Sequence, residues 1–296
     1  MASSFPHDVL ILDTDALIHA RVTRARTGNQ ITLSKSYRLP AETFTSAVVT
    51  PELANEDGLA DVLRRLRAES GRWDKASILL PDAWFRINIL ELAALPEARD
   101  EAEQMVRWSL KRTLPIDVAT LRVAFEVTSR THDRVKIVAV TAVEKTLAAI
   151  ERVLGGAGIG VVLIEPAGLS LWNTIAAHEA PTTRDRLFFY IRDNDFTTAA
   201  FRGAQPLFIR SRNLNADRTV EQEIRLSASY LRDTLGTNSI ESCYVAGNRV
   251  NGNIAATISD EFKAPVRTVQ LSDFAEQAPS GIGYEAELTA ATGVFA

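Results

Sequence analysis

The chain has 296 residues, 46% of them hydrophobic and 24% charged, with a formal net charge of −4 and a single cysteine. That length can bury the core of two domains or one large one, and the composition excludes wholesale disorder. The mild acidity argues against the basic face of a dedicated nucleic-acid binder, and the lone Cys243 excludes an intrachain disulfide framework or a cysteine-based zinc site.

The opening, MASSFPHDVLILD, has no basic stretch before its short apolar run, so neither a signal peptide nor a membrane span is expected there. No later run reaches the ~18 apolar residues a span needs. Val9 to Leu12 reads as a buried strand, Ile18 to Arg26 as a second, and Ile31 to Arg38 as a third after a turn at Thr27-Gly28-Asn29. From Asn55 the period changes: Leu59, Val62, Leu63 and Leu66 recur at helical spacing among Arg64, Arg65 and Arg67. Ala76 to Leu80 and Trp84 to Leu90 follow as strands. Pro96 opens an expected helix to Arg112, with Ala98, Ala102, Met105, Val106, Ser109 and Leu110 on one stripe and Leu114-Pro115 as its stop.

Leu121 to Thr128 and Arg134 to Thr141 read as a hairpin, and Ala142 to Leu154 as a helix stopped by Gly155-Gly156. Val161 to Ile164 is a continuous apolar run, expected to be a buried strand, and Gly168 to Ala177 a helix. After the polar stretch Glu179 to Asp185 the three-strand theme returns in Leu187 to Arg192, Thr197 to Arg202 and Pro206 to Arg212. A helix (Arg218 to Leu235), a strand (Ile240 to Val245), a helix (Ile254 to Phe262), a strand (Val266 to Leu271) and a closing helix (Tyr284 to Ala291) complete the chain. Each half thus reads as three strands, helix, strand, helix, strand. Each half also has an acidic residue just past its first strand, Asp13 and Asp193. Such a duplication is not what a Rossmann or barrel enzyme gives. The expected units are residues 1–180, with an inserted block at about 40–138, and residues 181–296, whose last helix packs back on the first unit.

This order, and above all the stretch PEARDEAEQMVRWSLKRTLPIDVATLRVAFEV from Pro96 to Val127, resembles the PilM family. The stretch KIVAVTAVEKTLAAIERVLGGAGIGVVLIEPAGLSLWN is similar to the family's strand, helix, glycine stop, strand and helix. These are actin-like proteins of the type IV pilus inner-membrane complex, related to FtsA and to the cytoplasmic domain of GspL. The resemblance implies an α/β, actin-like ATPase (ribonuclease H-like) fold of two duplicated lobes, with an inserted α+β subdomain in the first. It implies a cytoplasmic protein, peripheral at the inner membrane. There it would hold the tail of a PilN-like single-pass partner in a groove between the core and the inserted subdomain, beside other pilus assembly components. Neither nucleic-acid binding nor direct membrane insertion is implied.

The family's nucleotide loops are eroded here. Where members carry Asp-Ile-Gly-Ser this chain has Asp13-Thr14-Asp15-Ala16, and the second Asp-x-Gly loop reads Tyr190-Ile191-Arg192. The Gly-Gly before the long helix is Leu214-Asn215-Ala216-Asp217, and the adenosine turn keeps one glycine, Gly247, in Val245-Ala246-Gly247-Asn248. Glycines let such loops bring amide N–H groups up to phosphate, and a side chain in their place costs roughly 1–2 kcal/mol and fills phosphate space. Asp13, Thr14, Asp15, Arg192 and Gly247 are therefore the residues of a degenerate nucleotide site, with ATP and Mg at Asp13 as its ligands if any bind. A pseudo-ATPase scaffold is expected. The rivals are an active ATPase or kinase whose Asp13 and Asp15 hold Mg, and a GspL-like secretion component.

Other residues have weaker claims. Glu165 after its strand matches an acidic position near the hydrolytic water in related folds, or is a polar strand end. Asp193-Asn194-Asp195 is a cation turn or simply a hairpin tip. His7, His19, His132 and His178 lack ligand spacing. Cys243 reads as a buried thiol. The face Arg64, Arg65, Arg67 and Arg72 is solvated or meets an acidic partner. Trp73, Trp84 and Trp108 form the core of the inserted block or anchor a partner. No G-x-S-x-G, H-E-x-x-H or Walker loop occurs.

Overall fold

The computed structural model describes residues 5–24, 29–45, 51–214, 218–236, 240–277 and 283–295. The turn expected at Thr27-Gly28 and the segment Asn215 to Asp217 lie outside the described residues. Three strands open the chain: β1 (Asp8–Leu12), β2 (Ala16–Arg24) and β3 (Asn29–Arg38), an antiparallel meander. Helix α1 (Glu56–Ser70) is capped by Asn55, whose side chain accepts the Gly58 N–H, and leads to β4 (Lys75–Leu80), parallel to β1. A 3-10 turn, Asp82–Trp84, passes into β5 (Phe85–Leu92), followed by α2 (Arg99–Lys111), β6 (Leu121–Arg130) and β7 (Val135–Val143). Then come α3 (Glu144–Gly156), β8 (Gly160–Pro166) and α4 (Ala167–His178).

The remainder repeats the plan. It comprises β9 (Asp185–Ile191), β10 (Asp195–Arg202), β11 (Gln205–Asn213), α5 (Val220–Leu235), β12 (Ile240–Ala246), α6 (Gly252–Phe262), β13 (Val266–Thr268), β14 (Ala275–Gln277) and α7 (Glu285–Gly293). The first sheet runs β14-β3-β2-β1-β4-β8 and the second β11-β10-β9-β12-β13. With β14 set aside, the two orders are one pattern: an antiparallel meander flanked on one side by two parallel strands.

The central strands β1 and β9 are buried at every position; the apolar runs Val9 to Leu12 and Leu187 to Ile191 are those of strands covered on both faces, and Asp8, Asp185 and Arg186 before them are buried in ion pairs. Alternate side chains divide between two cores. Val9 and Ile11 join Phe188, Tyr190, Trp172 and Leu288 in the core around α4 and α7, while Leu10 and Leu12 join Leu59, Leu63 and Ile150 under α1 and α3. Leu187, Phe189 and Ile191 face Ile224, Leu231 and Ile258 of α5 and α6. A third sheet, β5-β7-β6, packs Ile137 and Ala139 against Val106 and Leu110 of α2.

Several expectations change. Helix α1 and β4, taken with the inserted block at about 40–138 in the sequence, pack in the first sheet's core, and the separate third sheet spans 85–143. Trp73 and Trp84 lie in that same first-sheet core, whereas Trp108 is 63% exposed and Met105 falls off the buried stripe of α2. The helix α2 begins at Arg99, three residues after Pro96, and α3 runs through Gly155-Gly156 to end before Gly158, which takes a φ of 74°. The β13 ladder stops at Thr268, so Leu271 enters a short turn instead.

Candidate functional site

The turns expected to hold phosphate lie at the ends of β1 and β9, and three of their backbone donors are already in use. Asp13 N–H bonds the Ala16 carbonyl (2.8 Å), Thr14 N–H bonds the Asp13 carboxylate (2.7 Å), and Arg192 N–H bonds the Asp195 carbonyl (2.9 Å). Amides that would grip an anion must be free to point at it. These three are turned back onto their own turns.

Arg192 then fills the space between the turns. It is 5% exposed, with its guanidinium 2.8 Å from Asp13, 2.7 Å from Asp195 and 3.7 Å from Glu287 of α7. Burial works against its charge, but Asp195, Tyr190 and Asp13 more than offset that and hold it well above its ordinary value. Burial likewise raises Asp195 and Glu287 above the usual carboxylate range. Asp195, expected as one residue of a hairpin tip or cation turn, is thus a buried counter-ion. Asp15 is exposed and lines the same cleft, and Asp193 at the tip accepts from the Asn248 amide (2.8 Å).

Gly247, the last glycine of the expected adenosine turn, has a φ of 113° and lies against the Ile191 carbonyl. The cleft bounded by Asp13, Asp15, Arg192 and Glu287 has a volume of about 180 Å³. Pockets for drug-sized ligands run to roughly 300–1,000 Å³. These residues do not fit MgATP as they stand: the phosphate space holds a guanidinium, and Asp13, the expected Mg ligand, is paired to it. A second opening, about 480 Å³, lies at the start of α5 between Arg218, Arg249 and Asp193. Glu165 sits at the end of β8, raised by burial, with one carboxylate oxygen unpartnered among the described residues. Cys243 is buried and its thiol is pushed up to about 12.

A different opening adjoins the third sheet. Among the described residues, strand β8 ladders with β4 alone and β6 with β7 alone, so both present an outer edge. Between them lies an apolar groove of about 170 Å³, walled by Phe85, Ala124, Val140, Leu147 and the run Val161 to Ile164. Val162 is 48% exposed there, where the sequence reading expected a buried strand. At one wall Arg122 is clasped by Glu144 (2.7 Å) and Glu151 (2.6 Å).

The sequence reading also missed two buried polar groupings. His19 bridges Asp8 (2.7 Å) and Ser70 (3.1 Å) while stacking on Trp73 at 4.7 Å, tying the end of α1 to the first two strands. Asp82 is fully buried and accepts the Gly168 N–H at the start of α4 (2.7 Å). Nothing in local spacing marks either, because each is completed by a contact more than 50 positions away, His19 to Ser70 in one and Asp82 to Gly168 in the other.

No family model matches the sequence, and no curated protein matches it. The fold does have counterparts. A chain of the PilM–PilN type IV pilus biogenesis complex superposes with a TM-score of 0.79 at 18% identity, with 97% of each chain covered. A protein of unknown function with an actin-like ATPase fold from Bacteroides thetaiotaomicron gives 0.54 at 10% identity over 96% of each chain. The cytoplasmic domain of EpsL, an inner-membrane component of the type II secretion system of Vibrio cholerae, gives 0.51 at 12% identity over 96% of this chain and 93% of that one. At such identities the likeness is one of fold, and the fold is actin-like.

Proposed function

We propose that the chain is a docking platform of a pilus-type inner-membrane assembly complex. Residues 1–180 and 181–296 act as its two lobes, and the β8 groove receives the extended cytoplasmic tail of a PilN-like membrane protein. The groove carries this reading. It combines unladdered strand edges with an apolar floor, the pairing of main-chain hydrogen bonds and side-chain pockets that an added peptide strand uses. The partner is suggested by the PilN named with the superposed PilM. No helix among the described residues is long and apolar enough to cross a membrane, so attachment through such a partner suits the chain.

Fluorescence anisotropy with a labelled tail peptide of a PilN-like protein tests it. The expected Kd is below about 100 µM, since even millimolar affinity is worth about −4 kcal/mol. Val162→Asp is expected to weaken binding at least about tenfold, by burying an unpaired charge. An unmeasurable affinity, or one untouched by Val162→Asp, would remove the groove from the argument.

In the same reading the platform works without hydrolysing nucleotide, because Arg192 already occupies the cleft. Thermal denaturation with 1 mM MgATP is expected to leave the midpoint unchanged. A ligand at 100-fold its Kd would add about 2.7 kcal/mol. A rise of several degrees would favour a nucleotide-dependent switch.

A further inference from the structure

The helix α2 has two stripes. Ala102, Val106 and Leu110 are buried, the last two against Ile137 and Ala139 of the third sheet. Glu101, Met105, Trp108 and Arg112 recur at four, three and four residues along a second stripe, and all four are exposed. Among the described residues Trp108 is the most exposed of the large apolar side chains, and Met105, at 36%, lies one turn before it. A tryptophan at the surface leaves a large apolar area in water, and such residues are frequent anchors of protein contacts.

We propose that two copies of this chain pair through these stripes, their α2 helices antiparallel about a two-fold axis between Met105 and Trp108. The stripe is its own complement. Its acid is at the N-terminal end, its base at the C-terminal end, and each is four residues from the nearer member of the apolar pair between them. Set against itself in reverse, it brings Met105 to Trp108 of the second copy and Glu101 to Arg112 of the second copy. Each contact then occurs twice, as an isologous interface requires. A parallel pairing would oppose Glu101 to Glu101 and Arg112 to Arg112. The antiparallel one also sets the positive end of each helix dipole beside the negative end of the other.

The charges on the helix favour this occupant. Glu103 and Arg107 are spent on each other at 2.8 Å, and Arg107 also donates to the Val118 and Leu121 carbonyls. Glu101 and Arg112 make no ion pair among the described residues. The Arg112 guanidinium lies 5.5 Å from the centre of the Trp108 ring, so it is already held at the stripe with its charge unpaired. The contact also leaves the docking groove clear. Along β6 and β7, Val123, Phe125, Ile137 and Ala139 face α2, whereas Ala124 and Val140 line the groove on the other side of the sheet. A dimer so built presents two grooves at once, but its formation does not depend on the docking reading.

Sedimentation velocity of the full chain from about 5 to about 500 µM, a range that brackets weak association, tests the pairing. One pair of helices covers less than the roughly 800 Å² per partner of a standard interface, so a weak dimer with a Kd on the order of 100 µM is expected. Trp108→Glu is expected to stay monomeric throughout with an unchanged melting midpoint, because Trp108 belongs to none of the buried clusters. Glu101→Arg and Arg112→Glu are each expected to raise Kd at least about tenfold by placing like charges face to face. Combined in one chain they restore opposite charges across the axis, and Kd is expected to return to within about threefold of the native value. A native chain still monomeric at about 500 µM, a dimer indifferent to Trp108→Glu, or a double variant no tighter than either single one overturns the pairing.

Discussion

Replacing Arg192 with methionine is expected to lower stability by about 3–5 kcal/mol at pH 7.5, the cost of leaving buried charges without their partner. Asp195 and Glu287 are both nearly inaccessible beside it, and methionine fills much of the volume while supplying no charge. Asp13 contributes less to the loss because 29% of its side chain is exposed, where water screens the pair. Urea denaturation checks the size of the effect. The companion variant Arg192→Met with Asp195→Asn is expected to recover part of it, since a neutral amide no longer requires a counter-ion. A loss below about 1 kcal/mol, the worth of a surface ion pair, would mean that the cleft opens to water around these groups. The arginine would then be dispensable packing.

The same residue shows how far the sequence could be read. That Arg192 stands at the end of a buried strand was legible from order alone, because the apolar run Leu187 to Ile191 ends there, as Val9 to Leu12 ends before Asp13. The start of a helix at Asn55 was legible for a local reason too, the change to helical spacing that begins there. What Arg192 binds was not legible. Glu287 lies 97 positions beyond Tyr190, which donates to it at 3.4 Å, and short-range spacing carries no signal for a contact of that span.

Two further elements were obscured by length and by ambiguity of pattern. Strand β14 has three residues, too few to show a period of two, and its pairing with β3 depends on a chain reversal late in the sequence. The run Val161 to Ile164 satisfied the pattern of a strand covered on both faces, yet it lies at the sheet's edge, where the third sheet covers it only in part. An apolar edge of this kind is an aggregation hazard unless something is laid along it. That strengthens the case for a peptide occupant over a bare surface.

Gly247→Ala is expected to destabilise the ligand-free chain by about 2–5 kcal/mol, combining the roughly 1–2 kcal/mol of a left-handed φ with the 1–3 kcal/mol of an overpacked contact. The residue holds a φ of 113°, and an added Cβ would collide with the Ile191 carbonyl oxygen and lie 2.7 Å from its carbon. That carbonyl cannot easily retreat, because it accepts from Arg249 N–H at 3.3 Å and terminates the buried strand β9. The turn after β12 is thus pressed against the end of β9 whether or not a nucleotide is present. Gly155→Ala in α3 is the matched control. Nothing lies within 4 Å of its added Cβ, so that change is expected to raise stability by roughly 0.5–1 kcal/mol through helix propensity alone. Thermal midpoints of the two variants without ligand decide the matter. If Gly247→Ala melts with the native chain and alters only its response to ATP, the glycine was kept for a nucleotide and Arg192 must yield its place; a large loss without ligand assigns Gly247 to the architecture that holds the two turns together.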